Sequence, residues 1–242
     1  MEASKYAHLM KYMKKNKVLC DVNTCFMCQH CLEDWRPAIN ANKVNIKVKK
    51  GEIIFNEGDA VTGIYFVYTG NVKVYKQWDA DKELIIRFAR GGALLGHRGM
   101  GDDIRYPISA AALEDSVVCY VDMKFFESTL RVNTELTYQL VNFFANELRL
   151  SERRMRDLTH MPVKGRVADA LLKLHQQFGV TESGLININL SRQDLASYAG
   201  ATYETVFRVI NELVAEQAIN LDGKSIAVTN YEMLTRLSQA EI

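Results

Sequence analysis

No apolar run in this chain approaches the length of a membrane span. The longest, such as Ile108 to Leu113, fall far short of the roughly 20 residues that a helix needs to cross a bilayer. No apolar secretion segment with a small-residue cleavage site opens the sequence either, so the expectation is a cytoplasmic protein with no membrane partner. Charge of one sign is not in excess: a formal net charge of +1 points neither toward nor away from nucleic acid. Nucleophile-elbow, P-loop and metalloprotease patterns are missing around the Cys and His residues, which argues against an enzyme. Internal repeats and low-complexity stretches are missing too. What is present is ordinary for a soluble globular protein: 242 residues, 48% hydrophobic and 24% charged, enough for one large or two modest domains.

Cysteine is the exception to this ordinariness. Of five cysteines, four lie close together at Cys20, Cys25, Cys28 and Cys31, and the fifth is Cys119. In a reducing cytosol such clustering reads as metal binding before it reads as disulfides. Residues 1–35, which hold the cluster, read as a short helical or irregular lead segment.

From about Val44 the pattern is one of short strands: Val44–Val48, Glu52–Phe55, Ile64–Tyr68, Val72–Tyr75, Leu84–Phe88 and Ser116–Val121. Turn signals at Lys50-Gly51, Glu57-Gly58-Asp59, Thr69-Gly70-Asn71, Asp79-Ala80-Asp81 and Gly91-Gly92 separate them. This spacing implies a small antiparallel barrel or roll over 36–122. After Asp122 the period becomes helical. Leu136, Leu140, Phe143, Phe144, Leu148, Ser151, Met155 and Leu158 recur at helical steps, so one long helix over 123–159 is expected. Its narrow seam suits pairing with a twin helix, and a single helix lying on its own barrel is the alternative. Pro162 cannot continue a helix interior, and it marks the last boundary. Beyond it, in 160–242, come helix 163–178, strand 186–189, helix 191–199, a turn at Gly200, helix 202–217, and a two-stranded wing around Asp222-Gly223. Arg149, Arg153, Arg154, Arg156, Lys164, Arg166 and Lys173 make the middle of the C-terminal half locally basic, equally consistent with a solvated face.

The segment Leu190 to Leu213 carries the strongest signal. Ser191 followed by Asp194 is a capping-box start, and Gly200 supplies the freedom that a helix–helix turn needs. Thr202 caps the second helix, while Val206, Val209, Ile210 and Leu213 form its inner face. Tyr203, Glu204, Phe207, Arg208 and Asn211 are left outward, where a recognition helix meets base edges in the major groove. Arginine grips guanine O6 and N7, and glutamate accepts from the cytosine amino group.

Over essentially its whole length the sequence resembles the CRP/FNR superfamily of transcription regulators. The resemblance rests on Ser191-Arg-Gln-Asp-Leu-Ala, Gly200-Ala-Thr-Tyr-Glu-Thr-Val-Phe-Arg208, the wing Asp222 to Val228, and the sensor runs Lys50 to Asp59 and Tyr68 to Lys73. It implies an α+β architecture: an N-terminal cyclic-nucleotide-binding-like β-roll (jelly roll), a long dimerisation helix and a C-terminal winged helix-turn-helix. It further implies a homodimer on double-stranded palindromic DNA, with RNA polymerase as a partner. Tyr203, Glu204, Phe207 and Arg208 would read bases, with Glu204 and Arg208 on the half-site core. Ser191, Gln193, Thr202, Thr205 and Lys224 would contact phosphates.

Nucleotide-binding members of that family use a phosphate-loop glutamate and an Arg-Ser or Arg-Thr pair. Here Ala93 and Tyr106-Pro107 occupy those places, Arg105 stands one residue away, and a ribose partner is missing, so a cyclic nucleotide is not the expected ligand. The runs Gly92 to His97 and Tyr106 to Cys119 resemble the oxygen-sensing branch instead. That implies a [4Fe-4S] cluster held by four of Cys20, Cys25, Cys28, Cys31 and Cys119. The spacing C-x4-C-x2-C-x2-C departs from the branch's usual C-x2-C-x5-C; taking Cys25 and Cys28 as its first pair puts Asp34 at the third position. His30 is a substitute donor. Zinc bound by the four N-terminal cysteines is the alternative metal, with Cys119 then a buried strand residue. The alternative sensor takes a small molecule in the roll and uses its cysteines structurally or as redox thiols.

Overall fold

In the strand Gly63–Thr69 five consecutive residues are buried, and the pleat explains why. Tyr65 and Val67 point into one apolar cluster, Ile64 and Phe66 into another. The division recurs on Ser116–Asp122, where Val118 faces the first cluster, and Cys119 and Val121 face the second. The first cluster fills the interior of a two-sheet roll. The second lies on the outer face of one sheet, under a layer of helices.

The computed structural model describes residues 22–79 and 82–239. The chain divides into two units: one runs through Gln77 and from Ile86 to Ala145, the other comprises Trp78–Ile85 and the chain from Asn146 onward. Unit one opens with helices α1 (Phe26–His30) and α2 (Arg36–Asn42), joined through a short 3-10 turn at Glu33–Trp35. Eight strands follow in part or whole: β1 (Lys43–Val48), β2 (Ile53–Phe55), β3 (Gly63–Thr69), β4 (Val72–Gln77), β5 (Glu83–Ala89), β6 (Leu94–Leu95), β7 (Ser109–Ala112) and β8 (Ser116–Asp122). They form two four-stranded sheets, ordered β1-β8-β3-β6 and β2-β7-β4-β5. Ile46, Val48, Phe55, Tyr65, Val74, Tyr106 and Val118 meet between them.

The expected single helix after Asp122 is two. Helix α3 (Met123–Val132) and α4 (Thr134–His160) are separated by Asn133, whose φ of −108° and ψ of 85° are not helical. The cause is tertiary: Asn133 is 1% exposed and its side chain is committed elsewhere, donating to the Thr129 carbonyl at 2.8 Å and accepting from the Leu32 amide at 2.7 Å. The expected seam also divides. Leu136 and Leu140 are buried in the outer cluster with Phe143 and Phe144 packed beside them, so this end of α4 lies on its own roll. Leu148 and Met155 remain 61% and 59% exposed.

Unit two holds α5 (Val163–Phe178), α6 (Arg192–Ala199), α7 (Tyr203–Ala215), the hairpin β9 (Ile219–Asp222) and β10 (Ser225–Val228), and α8 (Tyr231–Ser238). This is a winged helix-turn-helix. The expected strand at 186–189 is replaced by extended chain touching its neighbours through single bridges, Val180 to Ile186 and Leu185 to Ala227. Among the described residues no helix is long and apolar enough to cross a membrane.

Candidate nucleic-acid interface and cysteine cluster

The helix pair α6–α7 is built as its caps dictate. The Ser191 hydroxyl accepts from the Asp194 amide at 3.0 Å while the Ser191 amide donates back to the Asp194 carboxylate at 3.2 Å, closing the capping box. Gly200 ends α6 at φ +64°, a conformation that calls for glycine, and packs under the tip of the Leu158 side chain. Thr202 Oγ1 accepts from the Thr205 amide at 3.3 Å and opens α7. Val206, Val209, Ile210 and Leu213 bury the inner face, with exposures of 0% to 4%. Tyr203, Glu204, Phe207, Arg208 and Asn211 are all exposed on the other face. The two rings of Tyr203 and Phe207 lie 6.1 Å apart, 15° from parallel. Arg208 pairs loosely with Glu212 at 3.9 Å, and its side chain is 73% exposed.

The expected phosphate-contacting residues surround this face. Ser191, Gln193, Thr202 and Lys224 are exposed and Thr205 is half-buried. The Ser191 hydroxyl is already spent on Asp194, so the first amides of α6 are the stronger donors there. Arg192 donates to the Lys224 carbonyl at 3.1 Å and thereby fastens the wing to α6.

Much of the basic run proves to be internal scaffolding. Arg154 donates to the carbonyls of Ile85 and Tyr198 at 2.6 and 2.8 Å, Lys164 pairs with Glu216 at 2.7 Å, and Lys173 pairs with Asp169 at 2.6 Å. Arg166 clasps the turn itself, donating to Ala199 at 2.9 Å, Gly200 at 3.2 Å, Met161 at 2.8 Å and Leu158 at 3.4 Å. Sequence reasoning counted Arg166 only as charge. Its signal was its position, one turn into the helix that follows Pro162.

The cysteines gather at the other candidate site. Cys25, Cys28, Cys31 and Cys119 are 9%, 2%, 6% and 5% exposed, all thiols, and all in the outer apolar cluster. Cys20 lies outside the described residues. The loop bearing Cys25 sits tightly on the roll: the Phe26 amide donates to the Gly92 carbonyl at 3.1 Å, and a Cβ on Gly92 (φ +88°) would strike the Thr24 carbonyl. Burial pushes the Cys31 thiol above its ordinary range, against the pull of Arg36. Asp34 is exposed in the 3-10 turn, and His30 packs edge-on against Phe26 at 5.2 Å. Among the described residues no three His, Cys, Asp or Glu side chains stand ready-grouped to hold a metal ion.

Two polar residues that sequence reasoning passed over line the same cavity as Cys25 and Cys119. These are Lys43 and Asn45, 8% and 5% exposed. Asn45 faces Cys119 directly in the β1–β8 register, and neither its amide nitrogen nor its oxygen has a partner. Lys43, Asn45 and Lys47 alternate with Val44, Ile46 and Val48 as in any half-exposed strand, so the sequence carried no sign that the first two would be buried.

Comparison with known proteins now decides the family. A cyclic nucleotide-binding domain model matches residues 45–133 and a Crp-like helix-turn-helix domain model matches residues 165–237. The chain is 30% identical over 185 residues to the anaerobic regulatory protein of Bacillus subtilis (strain 168), covering 74% of this chain and 78% of that one. It is 27% identical over 189 residues to the CRP-like cAMP-activated global transcriptional regulator of Mycobacterium tuberculosis (strain ATCC 25618 / H37Rv), covering 77% and 84%. The structure of FixK2 from Bradyrhizobium japonicum matches with a TM-score of 0.74 at 26% identity, over 83% of this chain and 99% of that one. The chain belongs to the CRP/FNR family.

As a CRP/FNR protein it is a DNA-binding transcription regulator of the Crp-like helix-turn-helix type. Its relatives are named for different signals, so the roll must be read on its own residues. In this CRP/FNR roll Tyr106 is 2% exposed, stacks on Phe55 with centroids 4.3 Å apart, and donates its hydroxyl to the Gly63 carbonyl at 2.7 Å. An aromatic ring thus fills the interior of the roll at this position. Arg105 turns outward and donates to the Gly58 carbonyl at 2.8 Å.

Proposed function

We propose that this CRP/FNR regulator works in the cytoplasm as a homodimer that reads a palindromic operator with its two α7 helices, and that an iron–sulfur cluster couples its DNA binding to oxygen, nitric oxide or redox state. In this reading 1–35 carry sensor ligands, 36–122 the roll, 123–159 the dimerisation segment and 160–242 the DNA reader, with RNA polymerase as the partner on DNA.

The observation that carries the sensing half is the joint burial of Cys25, Cys28, Cys31 and Cys119 in one cluster. Four soft thiolate donors in an apolar setting suit such a group, and the orphaned Asn45 amide beside Cys119 suits a polar occupant of that cavity. Cys25, Cys28, Cys31 and Cys119 would hold it, with Cys20 as a further donor. When bound, the group supplies an oxidant-labile tie among these residues. The chain's own residues carry the consequence. Leu32 donates to Asn133 at 2.7 Å, the Trp35 indole donates to Thr129 at 3.1 Å, and Phe26 packs on Phe143 at 5.6 Å. Any rearrangement of the cysteine segment therefore bears directly on α3 and the start of α4.

Dimerisation is supported by Val141, Leu148 and Met155, seven residues apart on α4 and 60%, 61% and 59% exposed. Phe144, Ser151 and Leu158 interleave with them at the complementary heptad positions. Pairing along this seam suits a two-fold arrangement, with recognition helices about one DNA turn (~34 Å) apart.

The test is anaerobic purification followed by a visible spectrum and iron, sulfide and zinc analysis, then operator binding with and without the metal. Iron and sulfide with a chromophore that bleaches in air are expected, along with a change in operator affinity on bleaching. A colourless protein holding one zinc makes the cysteines structural, and one holding no metal moves the signal to a small molecule in the roll. Equal operator affinity for loaded and apo protein refutes the coupling.

A further inference from the structure

The outward face of α7 carries two parallel rows. Glu204 and Arg208 form one, and Tyr203 and Phe207 form the other; each pair is four residues apart and lies on one side of the helix. The first row has hydrogen-bonding ends that suit a G·C pair. The second is an apolar ridge. Tyr203 and Phe207 are 43% and 49% exposed although the opposite face of the helix is fully buried, so they are not core residues left over. Their rings stack on each other, 15° from parallel, and stand as one preformed surface.

A ridge of this kind has one partner in the major groove. Base edges there present donors and acceptors, and the 5-methyl group of thymine is the apolar group that projects furthest from them. The 6.1 Å between ring centroids exceeds the roughly 3.4 Å rise of one base pair, so the ridge reaches beyond a single pair. We infer that Tyr203 and Phe207 select thymine, by its methyl group, at pairs flanking the G·C core read by Glu204 and Arg208. This deepens the DNA-binding reading of the same helix and rests on it.

The experiment uses the full-length protein. Its operator is selected from random duplex DNA, and each thymine is then replaced singly by uracil, which removes the methyl group alone. Uracil at one or two positions beside the core is expected to weaken binding about fourfold per methyl, the worth of one buried methyl group. In Phe207→Ser or Tyr203→Ser the penalty at the corresponding position disappears while the core G·C preference stays. Both changes lie on an exposed surface, and circular dichroism checks that the fold is kept. Uracil tolerated within about 1.5-fold at every position overturns the inference and leaves DNA reading intact. Penalties that persist unchanged in both variants also overturn it. A selection that enriches no motif overturns the DNA-binding reading and this inference with it.

Discussion

Replacing Arg166 by methionine tests whether one side chain holds the helix-turn-helix in shape. Its guanidinium gives four hydrogen bonds, to Ala199 and Gly200 at the end of α6 and to Leu158 and Met161 where α4 runs out. Those carbonyls sit at helix C-termini, where positive charge is favoured. A hydrogen bond to a charged group contributes about 1.5–3 kcal/mol. Counting the two bonds below 3 Å, giving the two longer ones little weight, and discounting for the half-buried setting leaves about 3 kcal/mol. At about 1.4 kcal/mol per factor of ten, amides from Ala196 to Val206 should exchange roughly a hundredfold faster in Arg166→Met. Hydrogen-exchange mass spectrometry on that stretch reads the effect. Arg166→Lys should recover less than half of the loss, because an ammonium cannot reproduce the planar fork. Operator binding should weaken in step, since the turn sets the angle of α7. Exchange within threefold of the parent protein in Arg166→Met would refute the clasp.

Three further outcomes are expected. Leu148→Asp should raise the dimer dissociation constant by about a hundredfold or more, from two lost leucine burials of about 1.5 kcal/mol or more each, and sedimentation equilibrium will show it; an unchanged dimer refutes the seam. Asn45→Leu should stabilise the metal-free protein by about 1–2 kcal/mol in urea unfolding, because a near-isosteric apolar group replaces a buried amide without partners; a loss of stability contradicts that description. Burial holds the Tyr106 hydroxyl above its ordinary value of 10.0, so its contribution is intact below that pH and is lost as pH rises through the raised value. Tyr106→Phe should therefore cost about 1 kcal/mol at neutral pH through the lost bond to Gly63, yet flatten the alkaline fall in stability, as pH-dependent melting will report.

The DNA-reading half was legible in the sequence because its determinants are local. Caps at Ser191 and Thr202, a left-handed glycine at 200, and a helical stripe from Val206 to Leu213 each act within a few residues. What escaped was set at long range. Strand β7 is Ser-Ala-Ala-Ala, a run with little intrinsic strand preference, and it is extended because β2 and β4 pair with it on both sides. Strand β6 is only Leu94–Leu95, too short to show a period. Conversely, Ile186 to Asn189 alternates as a strand should, but it finds only single-residue bridges. The cysteines were visible as a group, whereas Lys43 and Asn45 join them only through the register of β1 on β8.

The break at Asn133 is the miss that bears most on function. Nothing local in Val132-Asn133-Thr134 forces a helix to stop, since neither glycine nor proline is present. The stop comes from a side chain that serves three elements at once. It closes the last turn of α3 through Thr129, its backbone carbonyl starts α4 by accepting from Thr137 at 3.0 Å, and its amide oxygen anchors the cysteine-bearing segment at Leu32. Losing the part-buried hydrogen bond from Leu32, a residue that is 56% exposed, costs about 1 kcal/mol. Typical coupling free energies between a sensed signal and a distant binding event are about 1–3 kcal/mol. One hydrogen bond is therefore large enough to tie the state of the cysteine segment to the start of the helix that bears the proposed dimer seam.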